Sequence, residues 1–505
     1  MAAGSEIYLE LVELSGHVVA KGAWSATLRA NCLYQSAHLA KPGRRCRLLQ
    51  DTWEITPFTP LAALDLSSGT CIQVVWLSSS AADTPSRGHA FVAIKANGSV
   101  ATWGRADYGG DSSEVAPLLT EGVVQICGNQ RAFAAIKASG SVVTWGDAAY
   151  GGNSLDVAAL LTEGVVQVCG TQLAFAAMKA NGSVVTWGAA GYGGSSSAIA
   201  PLLTEGVVQV CGAKLAFAAI KANGSVVTWG DADDGGNSSA VAPLLTEGVV
   251  QICGTQLAFA AMKANGSVVT WGDAAYGGNS SEVAALLTEG VVQISGTNFA
   301  FAAIKANGSV VTWGAAGDGG SSLEVAPLLT EGVVQVCGTS LAFAAIKANG
   351  SVVTWGDAAY GGNSSAVAAL LTEGVVQVCG SQHAFAAIKA NGSVVTWGDA
   401  AYCGSSSEVA PLLTEGVVQI SATNFAFAAM KANGSVVTWG DAGYGGNSSE
   451  VAPLLIEGVV QVCGKDSAFA AIKANGSVVT WGDAANGGNS SAVAALLTEG
   501  VVQVC

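Results

Sequence analysis

The chain has 505 residues, half of them apolar and only 11% charged, with a formal net charge of −15. This balance excludes a disordered chain, and an array this acidic lacks the Lys/Arg density that a phosphate backbone requires, so no nucleic-acid partner is expected. Residues 1–80 carry six basic and six acidic side chains, so the excess acid lies beyond them and a partner steered by charge is expected to be basic.

The first segment reads as a small α+β domain over residues 1–78. Ser5–Leu14 is strand-like, Ser15-Gly16-His17 is a turn and Val18–Ala20 a second strand. Thr27–Leu39 reads as a helix capped by Ser25, Leu48-Leu49 as a short strand and Cys71–Leu77 as a closing strand. This order resembles the ubiquitin-like fold through Ile7-Tyr8-Leu9, Leu14-Ser15-Gly16, Arg47-Leu48-Leu49 and Ile72–Leu77; an unrelated α+β cap on the array is the alternative. No Gly-Gly follows Leu77, so conjugation chemistry is not implied. Arg44, Arg45 and Arg47 read as a solvated basic face, and residues 79–88, rich in small and turn residues, as a linker. Met1–Glu6 has no basic n-region, and Ile7–Leu14 is interrupted by Glu10 and Glu13, so no secretory signal is read. With no apolar run of about 18 residues to suggest a membrane span, a cytoplasmic or nuclear location is expected.

Residues 89–505 repeat every 42 residues, with tryptophan at Trp103, Trp145, Trp187, Trp229, Trp271, Trp313, Trp355, Trp397, Trp439 and Trp481. A fixed period of this size indicates a propeller or solenoid. In the third copy Phe175–Lys179 and Ser183–Trp187 read as strands joined at Asn181-Gly182, a two-residue hairpin pairing Met178 with Val185 and Ala176 with Trp187. Both faces of that hairpin are apolar, so each must lie against a neighbouring hairpin. A glycine-rich loop follows. Ala198–Thr204 is either a helical turn or an extended return, and Val207–Cys211 is a third strand. The fold class is therefore mainly β, a β-propeller-like array of ten units, either a closed ring or an open superhelix. The last third strand, Val501–Cys505, can close a ring by pairing beside Phe91–Trp103.

These units resemble the regulator of chromosome condensation superfamily, above all its short-repeat branch that includes beta-lactamase inhibitor protein II. The resemblance is carried by Phe259–Lys263, Asn265-Gly266, Val268–Gly272, Gly277-Gly278 and Gly290–Gly296, repeated in phase. It implies a β-propeller that serves as a protein-binding platform, although members of that superfamily typically have seven blades.

No catalytic constellation is legible, and no cofactor or metal is expected. His17, His38, His89 and His383 are too scattered for a triad or a metal site. Cys127, Cys169, Cys211, Cys253, Cys337, Cys379, Cys463 and Cys505 share one repeat slot with Ser295 and Ser421, which fits buried free thiols in a reducing compartment. Cys403 replaces a loop glycine and reads as drift rather than a nucleophile. The acid after Trp-Gly, as in Asp147 and Asp357, reads as a turn residue. Two columns vary between repeats. One is the turn before each hairpin, with Arg131, Lys214, Phe299, His383, Phe425 and Lys465; the other is Tyr108, Tyr150, Tyr192, Tyr276, Tyr360, Tyr402 and Tyr444, with Asp234, Asp318 and Asn486 in the remaining copies. Loops on a rigid scaffold are the usual seat of binding, so both columns are candidate protein-binding residues. Three functions follow: a non-enzymatic interaction scaffold; a substrate-recognition component of ubiquitin signalling, meeting ubiquitin-pathway components and related to repeat-bearing HECT ligases without the HECT domain; and a guanine-nucleotide exchange factor for a small GTPase.

Overall fold

In the computed structural model the chain divides into two units, Met1–Ser79 and Ser80–Cys505. The structure describes residues 88–504 and, before them, residues 6–13, 18–26, 46–50, 53–55 and 70–76 together with Leu33, Ala37, Leu61 and Leu64. Arg44, Arg45 and all of the expected linker except Gly88 lie outside the described residues.

The first unit is a five-stranded sheet of β1 (Glu6–Glu13), β2 (Val18–Ser25), β3 (Cys46–Gln50), β4 (Trp53–Ile55) and β5 (Cys71–Trp76), in the order β2-β1-β5-β3-β4. β1 and β5 run parallel; the other pairs are antiparallel. Alternation sends Leu9, Leu11, Leu48, Ile72 and Val74 into a core with Leu33 and Ala37, both helical and four residues apart on one helix face. These two are the described positions of the helix expected over Thr27–Leu39. Ser25, expected to cap it, is instead the last residue of β2, which runs on past Ala20 because Trp24 pairs with Ile7.

The second unit contains ten three-stranded sheets. In the third sheet the inner strand Val165–Gly170 pairs with the middle strand Ala174–Lys179, which pairs with the outer strand Val184–Gly188. The hairpin register differs by one residue from the sequence expectation: Phe175 faces Trp187 and Met178 faces Val184. Gly182 N–H donates to the Lys179 carbonyl at 2.8 Å, and Lys179 N–H donates to the Ser183 carbonyl at 2.8 Å. The loop is thus Ala180-Asn181-Gly182, a three-residue turn whose glycine sits at φ +76°, and not the two-residue turn that Asn-Gly suggests.

A one-residue slip exchanges the faces. Phe175, Ala177, Val185 and Trp187 share one face; Ala174, Ala176 and Val184 occupy the other and pack against Phe217, Ala219, Val227 and Trp229 of the next sheet. Every joint therefore sets an alanine face against an aromatic one. The small side chains let the sheets approach, and the Phe and Trp rings, stacked at 5.4 Å in this sheet, fill the space. Each indole N–H is also paired: Trp229 Nε1 donates to the Gly193 carbonyl at 3.2 Å. Gly193 has φ +98°, and a Cβ there would lie 2.6 Å from the Phe217 ring, which favours glycine, although Cys403 takes the same slot in one repeat and its carbonyl accepts from Trp439 Nε1 at 3.2 Å.

The ring is closed. Val501–Val504 pairs antiparallel with Ala90–Lys95 and completes the first sheet. The tenth joint repeats the chemistry of the others, with Ala468, Ala470 and Ile472 against Phe91, Ala93 and Trp103, and Trp103 Nε1 donates to the Gly487 carbonyl at 3.0 Å. Ala198–Thr204 contributes no fourth strand; a 3-10 helix spans Ser197–Leu202, and the Leu203 carbonyl accepts from Val184 N–H. Inner strands of successive sheets come closest together, which explains the small-residue slot. Ser295 Oγ and Ser421 Oγ donate to the next inner strand at Val336 (3.1 Å) and Val462 (2.7 Å), as Cys211 Sγ does at Ile252 (3.6 Å). Described cysteines of this slot are unbridged and, apart from the buried Cys253, half-buried.

Candidate protein-binding face

The two variable columns meet at one end of the strands, opposite the hairpin tips. Tyr108, Tyr150, Tyr192, Tyr276, Tyr360 and Tyr444 each end a short 3-10 turn such as Ala148–Tyr150, while Tyr402 lies in a turn without that helix. Asp147 Oδ1 caps that turn by accepting from Ala149 N–H at 2.9 Å, and Asp273, Asp357, Asp441 and Asp483 do the same in their repeats. The acid after Trp-Gly is thus a cap.

The turn before each hairpin divides its labour among three positions. The first is buried and holds the turn: Thr171 Oγ1 accepts from Ala174 N–H at 3.1 Å and donates to the Tyr192 carbonyl at 3.4 Å. The second builds a backbone ladder around the ring, with N–H groups of Gln172, Lys214, Gln256, Asn298, Ser340, Gln382 and Asn424 each donating to the carbonyl 42 residues on, at 2.9–3.3 Å. The third presents its side chain between two members of the Tyr column.

This sorting separates the candidate residues. Arg131, Phe299, His383 and Phe425 occupy the presenting position. Lys214 belongs to the ladder, where its charge acts on Asp234. Lys465 takes the first position and is corrected here as a surface contact: it is only 3% exposed, with Nζ over the rings of Phe133 (4.8 Å) and Phe91 (5.6 Å).

Where presenting and Tyr-column residues are both aromatic, they form a continuous strip. Ring centroids are 4.1 Å apart for Tyr360–His383, 5.0 Å for His383–Tyr402, 4.5 Å for Tyr402–Phe425 and 4.6 Å for Phe425–Tyr444. Tyr276 pairs separately with Phe299 at 4.7 Å. Across the ring the Arg131 guanidinium lies between Tyr108 and Tyr150, 4.7 Å from each centroid, with Nη1 3.5 Å from Asp147. Tyr192 is 39% exposed.

Burial lowers the His383 pKa against the opposing pull of Asp399 and Asp357, so its ring is neutral at pH 7. Burial and then the neighbouring Asp357 raise both the Tyr360 hydroxyl and the Asp318 carboxyl. Asp234, 6% exposed in a tyrosine slot, is pushed up to about 6 by burial and by Asp231. Cys403 is fully buried, its Sγ 3.0 Å from Ser381 Oγ, and burial pushes its thiol up to about 12, the reverse of what a nucleophile needs. Among the described residues no group of three His, Cys, Asp or Glu can hold a metal ion, and no helix is long and apolar enough to cross a membrane. What sequence reasoning missed is the alternation of the two columns, which lie 19 or 23 residues apart along the chain.

No protein-family model matches the sequence, and no curated protein does. Solved structures with similar chain traces include Prp20p from Saccharomyces cerevisiae (16% identity over 55% of this chain and 82% of that one, TM-score 0.31). Yeast RCC1 (Prp20) bound to Kap60 matches at 14% identity over 46% of this chain and 70% of that one, TM-score 0.30. The CRINKLY WD40 ectodomain of the Arabidopsis thaliana receptor kinase ACR4 matches at 14% identity, over 57% and 93%, with a TM-score of 0.29. At these scores the fold rests on the strand pairing itself: a mainly β, propeller-like ring of ten repeated sheets.

Proposed function

We propose that the chain is a non-enzymatic protein-interaction scaffold whose working surface is the end of the ring that carries both variable columns. The observation that carries this reading is the strip from Tyr360 to Tyr444. Five rings in mutual contact are built on turns whose backbone is fixed by caps and by the ladder. Rigid aromatic side chains give contact area at low entropic cost, the signature of a binding hot spot. Acids cap the turns beneath the strip, and the chain is strongly acidic, so the partner is a basic protein. The ten-unit resemblance to the regulator of chromosome condensation superfamily agrees with this reading. The first unit is proposed to be ubiquitin-like; the β2-β1-β5-β3-β4 order with β1 parallel to β5 supports that assignment.

The test is affinity capture from lysate with the full chain and with a Tyr402→Ser/Phe425→Ser variant. A Leu155→Ser/Leu323→Ser variant, which alters two residues that are 78% and 83% exposed away from the strip, serves as control. Bound proteins should be lost from the first variant only. Equal capture by all three forms defeats the proposal.

A further inference from the structure

We infer that the hairpin-tip end of the ring docks a second copy of this chain, the two rings meeting tip end to tip end about a two-fold axis. This surface lies at the opposite end from the aromatic strip and does not depend on it. Two apolar columns supply its area. Leu118 and its nine equivalents are 49–55% exposed, and Val124 and its nine equivalents 37–58% exposed. Both flank the hairpin tips: the neighbouring Leu119 carbonyl accepts from Val100 N–H at 2.9 Å, and Val123 N–H donates to the Gly98 carbonyl at 3.0 Å. A half-exposed Leu or Val leaves about 45 Å² of apolar surface, roughly 900 Å² over both columns. That alone matches one side of a standard stable interface, about 800 Å².

Charge names the occupant. Residues 81–505 carry 15 basic and 30 acidic side chains. Ten of the basic ones form a column from Lys95 to Lys473, and ten of the acidic ones a column from Glu121 to Glu499, one of each per repeat beside the tips. The tip end is therefore neutral, while the other 5 basic and 20 acidic side chains leave the remainder negative. A second ring is repelled by the acidic remainder and not by this end.

The two charged columns are also self-complementary. Each lysine lies against the glycine that follows the glutamate: a Cβ on Gly122 would stand 3.6 Å from Lys137 Cε, and the other nine repeats give 3.4–3.6 Å. Ammonium and carboxylate thus stand at similar radius and alternate around the ring. Lys137 Nζ gives one donor to the Leu118 carbonyl at 2.9 Å. Among the described residues no ion pair joins the two columns; the pairs are His89–Asp466, Arg105–Asp107 and Arg131–Asp147. A two-fold axis lying between the rings reverses the order of one set of tips against the other. One rotation then sets every lysine over a partner glutamate and every glutamate over a partner lysine. The ion pairs fix the register, and the leucine and valine surface supplies the burial.

The experiment is sedimentation velocity of the full chain over a range of loading concentrations. It should show monomer and dimer in exchange and nothing larger, because a two-fold contact closes on itself. Leu202→Glu/Leu370→Glu, at positions 51% and 53% exposed, should weaken the dimer about tenfold or more by setting like charges face to face. Glu247→Lys/Glu415→Lys, which sets lysine over lysine, should weaken it as well and serves if the first variant does not fold. The two variants move net charge in opposite directions, so a shared loss reports the contact and not overall repulsion. Leu155→Glu/Leu323→Glu, away from the tips, and Tyr402→Ser/Phe425→Ser, on the aromatic strip, should dimerise as the parent does. A chain that stays monomeric at every concentration, assemblies larger than a dimer, or a dimer insensitive to both tip variants overturns the inference. Equal loss in either of the other two variants overturns it too, since the contact then lies elsewhere.

Discussion

Deleting residues 501–505 removes the strand that closes the ring, and the structure sets the size of the effect. Val501 and Val504 are each 3% exposed, and burying a valine contributes about 2 kcal/mol. The strand also pairs with Lys95, Ile94 and Ala93, and the adjoining Gly500 carbonyl accepts from Ala96 N–H; each net hydrogen bond adds about 1 kcal/mol. The loss is roughly 6–7 kcal/mol, comparable to the whole stability of many domains, but it is confined to one of ten joints. Hydrogen exchange read by mass spectrometry should therefore show faster exchange in 90–104 and 468–482, with the sheets between 258 and 356 protected as before. A synthetic peptide spanning 499–505, added in trans, should restore protection. Unchanged exchange at 90–104, or a loss spread evenly over all ten sheets, refutes the closed ring.

Asp234→Asn should stabilise the protein at pH 7 by up to about 3 kcal/mol, from ~1.4 kcal/mol per unit of displacement. The folded-state value is raised from 3.8 to about 6, so the cost of the charge grows as pH rises between them; melting curves of variant and parent should converge below pH 4. His383 has a lowered folded-state pKa, so it draws stability away as pH falls below 6.5. His383→Phe, matching Phe299 and Phe425, should remove that part of the acid sensitivity in melts between pH 7 and 5. Native-state alkylation at pH 8 should modify the exposed Cys71 and spare the buried Cys403 until denaturant is added, with mass mapping as the readout.

Much of this architecture was legible because it depends on period and polarity alone. Hydrophobic residues on both faces of a hairpin demand neighbours on both sides, and the Trp spacing sets their number. The register escaped because Lys-Ala-Asn-Gly-Ser serves two turn types, and Asn181-Gly182 by itself does not say whether Ala180 belongs to the strand or to the loop. The choice between ring and superhelix escaped because it depends on a small rotation summed over ten joints. Residue variability located both columns but not their meeting, since a 3-10 turn has to carry Tyr360 back to His383. Nor could it show that Lys465 shares the buried first position with Thr171, so a charged residue in a varying turn passed for a surface contact.

All ten joints share one chemistry, and none of them records its own place in the count. The number of sheets is fixed only where the chain's two edges meet, at Val501–Val504 against Ala90–Lys95. Gain or loss of one 42-residue unit would leave every contact pattern intact and change only the angle each wedge must subtend. Such a molecule is built to vary in circumference, with the aromatic arc travelling as a passenger on whichever ring results.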